Sequence, residues 1–356
     1  MIKELELINF RNHGKLKISD FSGDINILAG KNGEGKTNIL EALYMLTTGK
    51  SFRTNYYSPV IRNNEQRAYA SLSFERKVTH KIELLLEKGE KKSIRIDGQN
   101  IKHLYSLFSA IRAVAFCPED LKFVKESPSY RRNFIDLEIC RLLPSYIEVL
   151  KNYRNICNQK NRVLKGKDAE KLIDVYNEQM TETAGIIYSN RKKYMEKACN
   201  RANLLLKDMG KDTKFSYSME DAIYDGDLKE NIRDGLEKIR AREIEERCSL
   251  FGPHRTNITF NLNGKDTREY ASQGEAGTLA VALKFAAAEL IEEKIDEYPV
   301  LILDDVFSFL DDHRQRWVME KSKGHQTFIS IASESPENLP AEKTYFLKNG
   351  QILAHK

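Results

Sequence analysis

The run Gly30-Lys31-Asn32-Gly33-Glu34-Gly35-Lys36-Thr37 fills the pattern G-x-x-x-x-G-K-[ST] without a gap. Residues of these types at this spacing handle phosphates. The glycines let backbone N–H groups curl around a polyphosphate at the positive end of a helix, Lys36 reaches its β- and γ-phosphates, and Thr37 holds Mg²⁺. Asn38 extends the nucleotide-binding stretch. Such a loop needs a second carboxylate on the metal side, presented at the end of a buried strand. Val300-Leu301-Ile302-Leu303-Asp304 provides one 268 positions after Lys36, which makes Asp304 the expected Mg²⁺ partner. Asp305 follows directly, where a carboxylate orients and deprotonates an attacking water. The plainer reading of Asp305 is a helix cap.

Ser272-Gln273-Gly274-Glu275 opens a predicted helix, with Ser272 32 residues before Asp304. Two readings fit it. Ser272 and Glu275 make a capping box for free N–H groups, and Ser-x-Gly at a helix N-terminus makes an anion site able to hold a γ-phosphate. Ser308-Phe309-Leu310-Asp311 follows the aspartates and has the place of a D-loop, with Ser308 and Asp311 as its candidates. Phosphate loop, Ser-Gln-Gly helix, aspartate strand and D-loop come in the order of an ABC-type ATPase, in which the signature helix of one subunit closes over the phosphate loop of the other.

The elements that position these residues are legible in the apolar pattern. Ile25-Asn26-Ile27-Leu28-Ala29 is a short buried strand stopped by Gly30, and Thr37 to Thr47 has helical spacing. Between Tyr69 and Ile101 the period changes to two, with turns at Lys88-Gly89 and Asp97-Gly98, which predicts an antiparallel meander. From Arg131 to about Met209 two helical stretches flank the breaker Lys165-Gly166-Lys167-Asp168 and predict an antiparallel arm with limbs of about 40 to 60 Å at ~1.5 Å per residue. Asp221 to Glu246 reads as a charged, solvated helical connector. Ile258, Phe260 and Leu262 alternate up to the hairpin signal Asn263-Gly264, Tyr270 to Lys294 is helical, and Val300 to Leu303 is a buried strand. The predicted fold class is α/β: an ABC-type phosphate-loop ATPase head with an antiparallel β meander and an inserted helical arm. The head takes residues 1–130 and 248–356, the arm 131–247.

Composition narrows the class. The chain has 356 residues, room for about two lobes, and 41% hydrophobic content supports a sizeable core. A net charge of +5 excludes an acidic tail-driven protein and mildly favours anionic partners. Five scattered cysteines without a C-x-x-C pair argue against a disulfide framework and a zinc site. No stretch has the length of a signal peptide or membrane span, so a cytoplasmic protein off the membrane is expected.

The chain resembles the RecF family, bacterial recombination-mediator ATPases of the structural-maintenance-of-chromosomes type. The matching stretches are Ile8-Asn9-Phe10-Arg11-Asn12, the phosphate loop with Asn38-Ile39-Leu40-Glu41-Ala42, Ser51-Phe52-Arg53-Thr54, Pro118-Glu119-Asp120-Leu121, Lys125 through Arg132, Gly252-Pro253-His254-Arg255, Ala271-Ser272-Gln273-Gly274 and Leu303-Asp304-Asp305-Val306. The family usually continues its signature with glutamines and an arginine, where this chain has Glu275-Ala276-Gly277, and has acidic residues where this chain has Thr256-Asn257. The resemblance implies an ATP-dependent homodimer that binds duplex, gapped or junction DNA, works with RecR and RecO, and promotes RecA loading on single-stranded DNA in recombinational repair, fork maintenance and the SOS response. It also implies slow, DNA-stimulated ATP hydrolysis. The alternative is the ATP-binding subunit of an ABC membrane transporter; the arm, Ser-Gln-Gly-Glu and a missing histidine stand against it. A chromosome-organising protein with long coiled coils is excluded, because an insertion of about 80 residues cannot span hundreds of ångströms at ~1.5 Å per residue.

Candidate DNA contacts are Arg131 and Arg132, then Lys160, Arg162, Lys165 and Lys167, then Arg191, Lys192, Lys193 and Lys197, since such cations give salt-dependent phosphate contacts with little sequence preference. The competing reading for each is a solvated helix face. His254 and Arg255 fit either a nucleotide or DNA contact or a loop anchor. Glu119 and Asp120 occupy the region of the glutamine loop of this ATPase class, and Ser330 or Ser333 stands where its histidine is absent.

Overall fold

Alternating apolar residues pair the start of the chain into strands, as the period of two requires. The computed structural model describes residues 1–166, 169–219, 222–224, 226–333 and 341–355. Lys167, Asp168 and Asp221, named in the sequence reading, lie outside them. The chain divides into two compact units, one of Met1–Leu121, Leu205–Lys211 and Ser272–Lys356, the other of Lys122–Leu204 and Asp212–Ala271.

In the first unit, β1 (Ile2–Phe10), β2 (His13–Ser19), β4 (Arg67–Glu75), β5 (Thr79–Glu87), β6 (Ser93–Ile96) and β7 (Gln99–Asn100) form an antiparallel sheet in the order β2-β1-β4-β5-β6-β7. Ala68, Ala70, Leu72 and Phe74 of β4 and Ile82, Leu84 and Leu86 of β5 turn into one core. Asp97 and Gly98 both take positive φ in the two-residue turn that sets Ile96 opposite Gln99. A second sheet runs β15-β14-β3-β13-β12-β8, built from β3 (Ile25–Ala29), β8 (Ala113–Phe116), β12 (Val300–Leu303), β13 (Thr327–Ile331), β14 (Lys343–Lys348) and β15 (Gln351–His355). All its neighbours are parallel except β14 and β15. β3, β8 and β12 are buried at every residue, which explains their nearly unbroken apolar runs.

Helices α1 (Lys36–Thr48), α2 (Tyr105–Ala110), α9 (Gln273–Ile295) and α10 (Asp312–Ser322) complete this unit. Ile39, Leu40, Leu43, Met45 and Leu46 of α1 join the core, each such side chain contributing roughly 1.5–3 kcal/mol of burial. The strand order matters for function. β3 delivers the phosphate loop and β12 delivers Asp304, separated by β13, so the two motifs emerge at the same edge of the parallel strands.

The second unit holds a three-stranded sheet, β11 (Lys265–Asp266), β10 (Ile258–Leu262) and β9 (Phe215–Met219), with Asn263 and Gly264 forming the expected hairpin turn at positive φ. Its helices are α3 (Leu121–Lys125), α4 (Pro128–Leu142), α5 (Tyr146–Leu164), α6 (Ala169–Asp208), α7 (Leu228–Glu246) and α8 (Thr267–Tyr270), with the end residues of α3 and α6 counted in the first unit.

Three expectations change here. The boundaries fall at 121/122 and 271/272 rather than 130/131 and 247/248, because Phe123 stacks on Phe134 at 4.0 Å and Thr267 donates to the Val124 carbonyl at 2.7 Å. The first arm limb is two helices, since Pro144 lacks an N–H and drives Leu143 out of helical geometry. The 19 residues of α5 thus span about 28 Å and the 40 of α6 about 60 Å. Finally, α7 is packed rather than a free connector: it buries Ile232 and Leu236, and Lys229, Arg233 and Arg240 pair with Glu182, Glu178 and Asp174 along α6.

Candidate functional site

The phosphate loop begins where β3 ends. Gly30 has φ +152°, and a Cβ there would lie 2.6 Å from the Leu347 carbonyl oxygen; Gly35 has φ +100°, and a Cβ there would meet Asn12 and His13 at 2.8 Å. Both conformation and space therefore demand glycine. Lys36 Nζ donates to the carbonyls of Gly30 and Lys31, each at 2.7 Å. Burial pushes its pKa down, opposed by the charges of Asp304, Asp305 and Glu34.

Thr37 Oγ1 donates to Asp304 Oδ1 at 2.9 Å, joining two motifs 267 positions apart. Asp304 is buried, and burial raises its pKa against hydrogen bonds from Ser330 and Thr37. Ser330 Oγ donates to the same oxygen at 2.7 Å and accepts the Asp305 N–H at 2.9 Å. Asp305 takes a left-handed backbone, φ +49°, ahead of the 3-10 turn Val306–Phe309. Its carboxylate caps no backbone N–H of that turn and instead accepts the Ser308 hydroxyl.

These groups surround a cavity of about 380 Å³. Asn32, Gly33, Gly35, Lys36, Thr37 and Asn38 form one wall; Pro118, Glu119, Asp304, Asp305, Ser330 and Ala332 face them, and Arg53 completes the rim. The volume is that of a small-molecule site. Gly30, Lys31 and Glu34 support the loop without lining the cavity. Asp120 also turns away, accepting the Cys117 N–H at 2.9 Å and pairing with Lys284 at 3.1 Å.

Arg53 is a cavity residue to which the sequence reading gave no role. It donates to Asn38 Oδ1 at 2.9 Å and lies 3.7 Å from Glu41. Glu41 is fully buried and receives two N–H bonds from Arg11, at 2.8 and 2.6 Å, and the Ser51 hydroxyl at 2.5 Å. The helical spacing of α1 marks Glu41 as a charged residue on a buried face, the one local sign of this arrangement.

The Ser272 segment lies outside the cavity lining. Ser272 caps α9: its hydroxyl accepts the Glu275 N–H at 3.2 Å while the Glu275 carboxylate accepts the Ser272 N–H at 2.9 Å. Ser272, Gln273 and Glu275 are exposed, and space around Gly274 is open. Gly277, in the stretch that departs from the family pattern, lets α9 approach Phe309, whose Cβ would be 2.7 Å from an added Cβ. Asp311 caps α10 by accepting the Arg314 N–H at 3.0 Å.

Among the proposed DNA contacts, three are corrected. Arg131 is fully buried and donates to the carbonyls of Val124 and Ile258; Arg191 pairs with Asp136 at 2.7 Å; Lys160 pairs with Glu243 at 2.6 Å with both side chains shut off from solvent. Cations so enclosed serve packing. Arg132 is partly buried and donates to the Thr256 carbonyl at 2.7 Å. Lys192 and Lys193 are exposed, as are Arg162, Lys165 and Lys197. His254 anchors a loop: its Nδ1 pairs with the Tyr153 hydroxyl at 2.7 Å, and burial lowers its pKa to about 4.

The residues present fit ATP and Mg²⁺. Backbone amides at glycines with positive φ, an ammonium and open volume suit a polyphosphate, while the Thr37 hydroxyl beside the Asp304 carboxylate is a hard oxygen pair.

A phosphate-loop strand and an aspartate strand flanking β13, with an antiparallel sheet and a helical insertion, define the ATPase head of the ABC and chromosome-maintenance class. The model of the RecF/RecN/SMC N-terminal domain matches residues 1–348, and an Smc head bound to the C-winged helix domain of ScpA shares the fold at 17% identity with a TM-score of 0.58. Full-length relatives are closer in sequence. The DNA replication and repair protein RecF of Clostridioides difficile (strain 630) is 36% identical over 99% of this chain and 98% of its own, and that of Clostridium tetani is 36% identical over 99% of both. A solved structure of the recombination mediator protein RecF with ATP, in the RecFOR pathway, has 29% identity, covers 99% of this chain and 98% of its own, and gives a TM-score of 0.91. The chain belongs to the RecF family of DNA replication and repair proteins, which sets the transporter alternative aside. Among the described residues no helix is long and apolar enough to cross a membrane.

Proposed function

We propose that this chain is an ATP-driven DNA clamp of recombinational repair. ATP occupies the cavity with its phosphates in the loop from Gly30 to Asn38. Thr37 and Asp304 would hold Mg²⁺, which would supply charge neutralisation to the phosphates. Ser272 and Gly274 of a second copy contact the γ-phosphate, so ATP joins two copies, with Ser308 and Asp311 at the same junction. Asp305 takes a proton from the attacking water as the bond between the γ-phosphorus and the bridging oxygen breaks. Hydrolysis is slow, is stimulated by DNA and releases the pair. The paired form binds duplex, gapped or junction DNA in the cytoplasm and, with RecR and RecO, promotes RecA loading on single-stranded DNA. Arg132, Lys192 and Lys193 are the candidate contacts, and Arg131, being fully buried, is not one.

The observation that supports this reading best is the 2.9 Å bond between Thr37 and Asp304 at the cavity. The capping box of Ser272 is compatible with it, because Ser272 is exposed and the space around Gly274 is open, which leaves the helix terminus accessible to a second copy. Complementation tests the joint site. Lys36→Ala and Ser272→Arg are each expected to abolish turnover alone, whereas their mixture regains one site built from an intact loop and an intact Ser272. A mixture as inactive as its components would remove the shared site.

A further inference from the structure

We infer that Ser330 is a positioning residue for both aspartates of the ATP site and makes no donation to phosphate, an inference that rests on the ATPase reading above. Ser330 lies on β13, the strand between those that deliver the phosphate loop and Asp304. It lines the cavity but is 3% exposed. A serine hydroxyl has one proton and two lone pairs. The proton goes to Asp304 Oδ1 at 2.7 Å, and one lone pair receives the Asp305 N–H at 2.9 Å. What is left for the cavity is a lone pair, which cannot hold a phosphate oxygen.

The same hydroxyl thereby fixes two carboxylates with different tasks. Asp304 Oδ1 also accepts the Thr37 hydroxyl at 2.9 Å, so two donors set the plane of that carboxylate. At Asp305 the bond reaches a backbone held at φ +49°, a left-handed conformation that aspartate tolerates better than most residues with a side chain but that still gains from a partner for its N–H. Ser330 supplies an acceptor for that amide and so helps turn the Asp305 side chain toward the cavity. One side chain on the middle strand sets the spacing of the pair.

The test is ATP hydrolysis and nucleotide binding by the full chain, wild type against Ser330→Ala and Ser330→Thr. Ser330→Ala is expected to lower kcat by roughly 10–100-fold, as when a group that orients ligands is lost. Its KM should stay within about threefold, the signature of an interaction used in the chemical step. ATP and ADP affinities should move together. Ser330→Thr keeps both the donor and the acceptor on a strand that welcomes β-branching, and should restore kcat. A selective loss of ATP over ADP binding in Ser330→Ala would make Ser330 a phosphate donor and overturn the inference; so would wild-type kcat in that variant. If Ser330→Ala does not fold, Ser330→Cys with its weak thiol donor should turn over more slowly than Ser330→Thr, and equal rates would overturn the inference. A wild-type chain that hydrolyses no ATP would instead remove the ATPase reading, and the positioning role with it.

Discussion

Both units bury charge in pairs, Arg11 with Glu41 in the head among them, and the cavity of the head treats it differently. In the helical unit Lys160 and Glu243 close on each other at 2.6 Å, Arg191 grips Asp136 with two N–H bonds at 2.8 and 2.7 Å, and Arg141 pairs with Glu138. Glu243 also accepts the Leu250 N–H at 2.8 Å. At the cavity Asp304 is just as buried, but among the described residues its carboxylate accepts from hydroxyls and Lys36 Nζ donates to carbonyls. Those two opposite charges line one cavity and do not neutralise each other directly. Buried charges satisfied by each other hold a fold in one arrangement; buried charges left with neutral partners beside open volume await a ligand.

The comparison predicts opposite outcomes for similar substitutions. Asp304→Asn should reduce ATP turnover by roughly 10²–10³-fold, the scale of losing one electrostatic stabiliser, and leave the melting temperature unchanged or higher. Burial raises the pKa of this carboxyl, so its ionised form opposes folding at neutral pH and an amide relieves that cost. Lys160→Met should do the reverse, costing about 3–5 kcal/mol of stability by stranding Glu243, with the loss largely recovered when Glu243→Leu is added. Calorimetry and hydrolysis assays on the same preparations separate the two patterns.

Smaller effects sharpen the contrast. His254 has a folded pKa of about 4 against an ordinary 6.5, so the unfolded chain binds the extra proton between those values. Stability from this group is complete above pH 6.5 and is lost as pH falls toward 4; His254→Gln should flatten that slope in denaturant titrations across this window. Gly277→Ala should cost roughly 1–3 kcal/mol by forcing a methyl against Phe309, seen as a lower denaturant midpoint. Arg233→Ala, at an exposed pair with Glu178, should leave the melting temperature where it was.

What could be read from the sequence was local. The phosphate loop, the buried strand before Asp304, the Asn263-Gly264 turn and the capping box of Ser272 each carry their cause within a few residues. The fate of a cation depends on a partner far along the chain. Arg131 and Arg132 look alike in sequence, yet Arg131 is drawn inward by carbonyls of Val124 and Ile258, and nothing near Lys160 announces Glu243. The role of Arg53, though its stretch matches the family pattern, is hidden for the same reason, since this loop residue is held at the cavity by Asn38 and Glu41. The two aspartates were found from their strand, whereas the hydroxyl that joins them came from β13, a pairing that only topology reveals.

Whether ATP closes two copies of this chain on DNA is read from sedimentation of the Asp305→Asn variant with labelled duplex and gapped DNA. The variant should bind nucleotide and hydrolyse it slowly. DNA is expected to sediment with two 41.1 kDa chains in the presence of Mg²⁺ and ATP and with none in their absence. Chains that pair with ATP but ignore both DNAs, or that bind DNA singly whether or not ATP is present, would contradict it.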